Sequence, residues 1–114
     1  MSKFDDAMAT YKKSLTEKVG VKSIDEALLT AVAKGLGPSI YNADSSKVSS
    51  SDQAELDRVK NNFLIKKLGL SDGPELDAAI SEVSEQYGKS NPSKYRAVFY
   101  YLLVQKFGKQ SVYS

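Results

Sequence analysis

The 114-residue sequence contains no cysteine and no histidine. Without cysteine, disulfide bonds, iron–sulfur clusters, thiolate zinc sites and thiol catalysis are excluded. Without histidine, the chain lacks the commonest general base and the commonest transition-metal ligand. No arrangement of serine with lysine, and no pair of carboxylates, stands out as a catalytic pattern. We therefore predict no cofactor, no metal and no catalytic residue, and the sequence favours a non-enzymatic protein.

Long hydrophobic runs are also scarce. The longest unbroken apolar run is Ala97–Val104, far below the roughly 20 residues that cross a bilayer. The first residues, MSKFDDAMATYKK, contain no apolar stretch typical of a secretory signal. We expect a cytoplasmic protein with no membrane contact.

The composition is ordinary for a globular protein, with 41% hydrophobic and 26% charged residues. The length predicts a single domain over residues 1–114. The net charge is only +2, but the charges are separated along the chain. The segment Asp72–Glu85 holds acids and no base. Beyond it the only charged residues are bases: Lys89, Lys94, Arg96, Lys106 and Lys109.

The segment KYRAVFYYLLVQKF, residues 94–107, is the most apolar part of the chain. On a helical wheel its apolar and aromatic side chains point in almost every direction, which is typical of a helix buried on most sides. Asn91 and Pro92 suit the start of a helix, and Gly108 suits its end. We predict a central helix over residues 92–107.

Four amphipathic patterns precede this segment. They predict helices over residues 3–18, 24–34, 52–68 and 74–87, with a long loop over residues 36–51. Glycines 20, 35, 69 and 88 are placed to end them, and Ser23 with Glu26 forms a capping box. The inward face of the second helix is predicted to be Ile24, Ala27, Leu28, Ala31 and Val32. The predicted fold class is therefore all-α. We expect one compact domain of about five helices, in which four amphipathic helices surround the mostly buried C-terminal helix.

The loop over residues 36–51 is the first candidate functional site, with Tyr41, Asn42, Asp44, Ser46 and Lys47 as its candidate residues. The alternating polar residues resemble the start of an EF-hand loop, but the required glycine and glutamate are replaced by Lys47 and Gln53. A turn-and-cap role is favoured over calcium binding. A small-anion or substrate site at this loop stays open as an alternative.

The second candidate site is an interface on the last helix. Its Tyr100, Tyr101 and Phe107 are candidates for burial against a second copy or another protein. The alternative is that the other four helices and the 36–51 loop cover these side chains fully. The favoured function is accordingly a protein-interaction or self-associating module. Nucleic-acid binding through the basic C-terminal half is the alternative, and it loses its surface if those bases pair with the acids of the fourth helix.

Three stretches, GPSIYNADSSKVS (37–49), NFLIKKLGL (62–70) and KYRAVFYYLLV (94–104), together resemble the bacterial domain-of-unknown-function family 2853. The resemblance covers essentially the whole chain. It implies a small, helical, cytoplasmic bacterial protein. The family carries no assigned activity, so the resemblance transfers no functional residue.

Overall fold

A computed structural model describes residues 3–41, 47–48, 52–88 and 94–113. Their helices are α1 (Lys3–Ser14), α2 (Glu26–Leu36), α3 (Gln53–Arg58), α4 (Pro74–Tyr87) and α5 (Arg96–Phe107). The predicted all-α class and the five helices are confirmed. Each helix in the described residues falls short of the length and hydropathy that a bilayer span requires.

Two of the predicted helices change their winding partway along. After α1 the chain continues as a π-helix over Leu15–Val19, and after α3 it does so over Val59–Ile65. Short 3-10 helices follow α2 at Gly37–Tyr41 and α5 at Gln110–Tyr113. A π-turn adds a residue per turn and rotates the helix face beyond it. The regular wheel used for sequence patterns therefore misplaces side chains beyond these points.

The centre of the fold is α5, which packs against α1, α2 and α4. Every residue from Ala97 to Val104 is buried, so α5 is covered even more completely than the apolar wheel predicted. The Tyr101 hydroxyl lies inside this core and accepts a hydrogen bond from the backbone N–H of Asp25 at 2.9 Å. The polar tip of a buried ring thus holds the start of α2 against α5.

The start of α5 differs from the prediction. It begins at Arg96, with Tyr95 in extended conformation before it, and not at residue 92. Asn91 and Pro92, the predicted cap, lie outside the described residues. The later start has a tertiary cause, because Lys94 and Tyr95 pair with another segment of the chain.

Both ends of α2 also differ from the prediction. It is capped by Asp25, whose carboxylate accepts from the Leu28 N–H at 3.1 Å, and not by Ser23. The helix passes through Gly35 and ends at Gly37, where φ is +65°. That conformation strains any side chain, which explains why a glycine stands there. The spacing of the glycines in the sequence does not indicate whether Gly35 or Gly37 adopts this positive-φ conformation and ends the helix.

The buried face of α2 is rotated from the predicted one. Leu28, Leu29, Val32 and Ala33 are buried, whereas Ala27 is exposed and Ala31 is only half-buried. The pattern of apolar residues was ambiguous because alanine suits either environment. A face of small residues on α2 is therefore left partly accessible.

Candidate functional site

The segment Lys47–Val48 pairs with the two residues that precede α5, Lys94 and Tyr95. Lys47 and Tyr95 form an antiparallel bridge, and the Val48 N–H donates to the Lys94 carbonyl at 2.7 Å. The Val48 side chain is buried in the core. The long connection predicted over residues 36–51 is thus held to the domain in its second half, at Lys47 and Val48.

A largely buried ion pair lies next to this bridge. The Arg96 guanidinium donates to the Glu55 carboxylate, to the Lys47 carbonyl at 3.3 Å and to the Tyr100 hydroxyl at 3.1 Å. Glu55 also accepts from Arg58 at 2.7 Å. Arg96 therefore ties α3, α5 and the Lys47–Val48 segment together through three acceptors.

The ionisation of Glu55 follows from these contacts. Burial by itself raises the pKa of Glu55, because a charged carboxylate loses hydration. The hydrogen bonds and positive charges of Arg58 and Arg96 outweigh this, so the pKa of Glu55 is lowered overall. The carboxylate is charged at neutral pH and serves as an acceptor for two guanidinium groups.

Two buried tyrosines, Tyr11 and Tyr87, contact Tyr95 of the bridge. The rings of Tyr11 and Tyr95 meet edge to face with centroids 5.5 Å apart. The Tyr87 hydroxyl is hydrogen-bonded to the Ser14 hydroxyl and accepts the Tyr95 N–H at 3.2 Å. Burial raises the pKa of Tyr87, and it raises the pKa of Tyr11 to about 12. These phenols stay protonated at neutral pH and act as hydrogen-bonding groups.

One lysine in this region is also buried. Lys94 is 2% exposed, and burial lowers the pKa of its ammonium group. In the described parts of the chain, no three acidic side chains converge into an arrangement that would hold a metal ion. The described region has the chemistry of a packed junction, with an ion pair, protonated phenols and a short backbone bridge.

The residues predicted at the 36–51 loop are separated by the structure. Tyr41 ends the 3-10 helix and is 47% exposed, directly after the buried Ile40. Lys47 is half-buried, with its ammonium group 5.7 Å from the centroid of the Tyr95 ring. The other three candidates, Asn42, Asp44 and Ser46, lie outside the described residues.

The predicted interface residues on α5 are mostly internal. Tyr101 is fully buried, and Tyr100 stacks on Phe63 at a centroid distance of 3.9 Å. Phe107 is half-buried at the end of the helix. The other elements cover α5 more completely than its wheel indicated, because α3 and its π-turn supply Phe63 beside Tyr100. Tyr100 and Tyr101 therefore offer no exposed ring to a partner.

The basic residues of the C-terminal half are placed as follows. Lys106 forms an ion pair with Glu82 of α4, as expected from the neighbouring acidic and basic helices. Arg96 is paired with Glu55, and Lys94 is buried. Lys109 is half-buried, and Lys89 lies outside the described residues.

The role of Glu55 was missed from the sequence. Acids are common in the first turn of a helix, so its position in the sequence gives no sign of a special role. Arg96 carried the useful information, because a charge beside a nearly continuous apolar run needs a partner when the run is buried. Which of the 14 acids would supply that partner depended on how α3 docks against α5.

We expect Lys47→Ala to lower the free energy of unfolding by less than about 1 kcal/mol, since it removes only a long, partly exposed cation–π contact with Tyr95. The backbone bridge stays intact in this variant. The neighbouring Val48→Ala should cost about 1.5 kcal/mol, for two buried carbon groups at about 0.8 kcal/mol each. Chemical denaturation measures both values. A larger loss for Lys47→Ala than for Val48→Ala would mean that the lysine side chain itself holds the segment.

Comparison with known families gives a single finding. The sequence model of a family described as "Protein of unknown function (DUF2853)" matches residues 10–111. No curated protein matches the chain significantly. The matched range includes α2 to α5, the Lys47–Val48 bridge and the Glu55–Arg96 pair, so the chain belongs to this family.

Proposed function

We propose that this member of the DUF2853 family is a non-enzymatic protein-interaction module, of bacterial cytoplasm, that contacts its partner through Tyr41. One observation carries the proposal. Among the residues whose exposure is described, Tyr41 is the one large hydrophobic side chain that is exposed. A single exposed apolar residue is common on protein surfaces, so the surroundings of Tyr41 matter as well.

The backbone on the N-terminal side of Tyr41 is anchored to the core. Ile40 is buried immediately before it. The ring of Tyr41 lies close enough to Tyr11 to contribute to the raised pKa of that phenol. Tyrosine is enriched in the central contacts of protein interfaces because its ring buries a large area with few rotatable bonds. A residue whose backbone is already ordered loses less further entropy when a partner covers its side chain.

Two observations weigh against the nucleic-acid alternative. Arg96 and Lys106 are engaged by Glu55 and Glu82, and Lys94 is inside the protein. Bases in these positions cannot release counterions from a phosphate backbone. Passage through heparin at low salt is the result we expect for the purified protein.

Site-specific photo-crosslinking tests the proposal. A photoreactive phenylalanine analogue placed at position 41 in the native cell should yield a crosslinked product of discrete mass. The same analogue at the exposed position of Gln86 on α4 is the matched control and should not yield it. In a second assay, Tyr41→Ala should abolish capture of the partner. The melting temperature of this variant should stay within about 2 °C of that of the original protein, as is usual for surface substitutions. Identical products from both positions, or capture unaffected by Tyr41→Ala, would refute the proposal.

A further inference from the structure

We infer that the outer face of α2, formed by Ala27, Thr30, Ala31 and Lys34, pairs two copies of this chain in an antiparallel dimer. This inference rests on the self-association part of the proposed function and assigns it to a surface other than α5. Ala27 and Lys34 are exposed, and Thr30 and Ala31 are half-buried. Short side chains let two helices approach closely, toward the 8 Å end of the usual interaxial range.

The outer face of α2 lies between two neighbouring elements. On one side Glu26 forms an ion pair with Lys12 of α1. On the other side the Tyr113 ring approaches to 3.6 Å from where a Cβ of Gly35 would stand. At the N-terminal end there is an open cavity of about 170 Å³ lined by Asp25, Ala27, Leu28, Gln110 and Tyr113. The face is therefore a trough with a cavity at one end.

The lining of this cavity suits a lysine side chain. Ala27, Leu28 and the Tyr113 ring provide apolar surface for an aliphatic stem, and the Asp25 carboxylate provides an acceptor at the rim. Lysine commonly buries its stem while its ammonium group meets an acid. The cavity thus has room and chemistry for one long basic side chain.

The charges along α2 identify that side chain as Lys34 of a second copy. At the N-terminal end of α2, Glu26 is already paired with Lys12, so Asp25 is the carboxylate open to a new ion pair. Lys34 stands nine residues beyond Asp25, about 14 Å along the helix, and makes no ion pair within the described residues. A two-fold axis near Thr30 places each Lys34 against Asp25 of the other copy. Such a two-fold interface is self-complementary, so both ends are satisfied at once.

Parallel pairing gives the opposite result. It would set Asp25 beside Asp25 of the second copy, and Lys34 beside Lys34, so that like charges meet at both ends. The distribution of charge therefore selects the antiparallel arrangement, and it selects a second copy of this chain as the occupant.

Sedimentation equilibrium of the full chain tests the inference. The original protein should show a mass that rises with concentration from the 12.5 kDa monomer toward twice that value. Lys34→Glu and Glu26→Lys should each weaken dimerisation about tenfold or more, since each opposes like charges across the two-fold axis. An equimolar mixture of the two variants should recover part of the dimer, because positions 26 and 34 again carry opposite charges at one end and the original residues meet at the other.

Two controls keep the result interpretable. Lys18→Glu makes the same charge change at an exposed position of the π-turn after α1 and should leave the dimer unchanged. Ala31→Arg places bulk at the two-fold axis and should abolish the dimer without unfolding the monomer, as thermal melting would show. A strict monomer at high micromolar concentration, or a dimer indifferent to Lys34→Glu, would overturn the inference.

The test also separates this inference from the proposed function. A monomer that still crosslinks from position 41 to a foreign protein leaves the interaction module standing without the dimer. A dimer on α2 with no position-specific crosslink at residue 41 supports the α2 interface and removes Tyr41 as the partner contact.

Discussion

Replacing Arg96 with methionine should lower the free energy of unfolding by about 3 kcal/mol, as expected when one member of a buried ion pair is removed. The loss arises because Glu55 remains largely buried while the Lys47 carbonyl and the Tyr100 hydroxyl lose their donor. We expect the low end of the usual range because Arg58 still reaches Glu55. Chemical denaturation followed by circular dichroism measures the change.

The matched control is Arg58→Met, which removes the other guanidinium from the same carboxylate. The Arg58 side chain is 63% exposed, against 16% for Arg96. An exposed ion pair contributes at most about 1 kcal/mol. The free energy of unfolding of Arg58→Met should therefore be close to that of the original protein. The double variant Glu55→Leu/Arg96→Met should recover most of the loss, since it leaves no unpaired charge in the core. Equal losses for Arg58→Met and Arg96→Met would show that burial does not decide the strength of the pair.

The same pair predicts a dependence on pH. The pKa of Glu55 is lower in the folded protein than in the unfolded chain, where it is about 4.3. Its contribution to stability is therefore fully present above pH 4.3 and is lost as the pH falls through the folded pKa. The stability difference between the original protein and Glu55→Gln should be constant near pH 7 and shrink toward zero in acid. A difference that stays constant down to pH 2 would contradict this assignment.

The second large effect is expected for Leu102→Asp. Leu102 belongs to the buried run of α5. The substitution places a carboxylate there without a positively charged partner. Losses of more than 4–5 kcal/mol arise from unpaired buried charge, and a domain of this size has only about 5–15 kcal/mol in total. The variant should lose its cooperative thermal transition or melt far below the original protein.

Leu102→Met provides the matched control, because it keeps the volume and the apolar character of the side chain. Such exchanges usually cost less than about 1.5 kcal/mol, so the methionine variant should fold and melt cooperatively. A cooperative transition near that of the original protein for Leu102→Asp would show that α5 is not central to the core.

The all-α class and the central position of α5 could be read from the sequence because both depend on local patterns. An apolar run of eight residues cannot be solvated on any face, so burial on all sides follows whatever the neighbours are. Pro74 begins α4, and most of the glycines mark helix ends, through their own backbone restrictions and without help from tertiary contacts. Gly20, Gly69, Gly88 and Gly108 accordingly adopt the positive φ angles that were expected at helix ends.

The partners across the fold could not be read in the same way. Glu55 meets Arg96, and Lys47 pairs with Tyr95, although each pair is more than 40 residues apart in sequence. Those contacts depend on the angle at which α3 docks and on the rotation that the π-turns add to the helix faces. Which face of α2 stays accessible to solvent also depends on packing between distant segments, because alanines at 27 and 31 suit core and surface equally well. Local backbone preference and hydrophobicity thus settle which segments are helices and which one is central, while the choice of ion pairs and accessible faces is made by packing between distant segments.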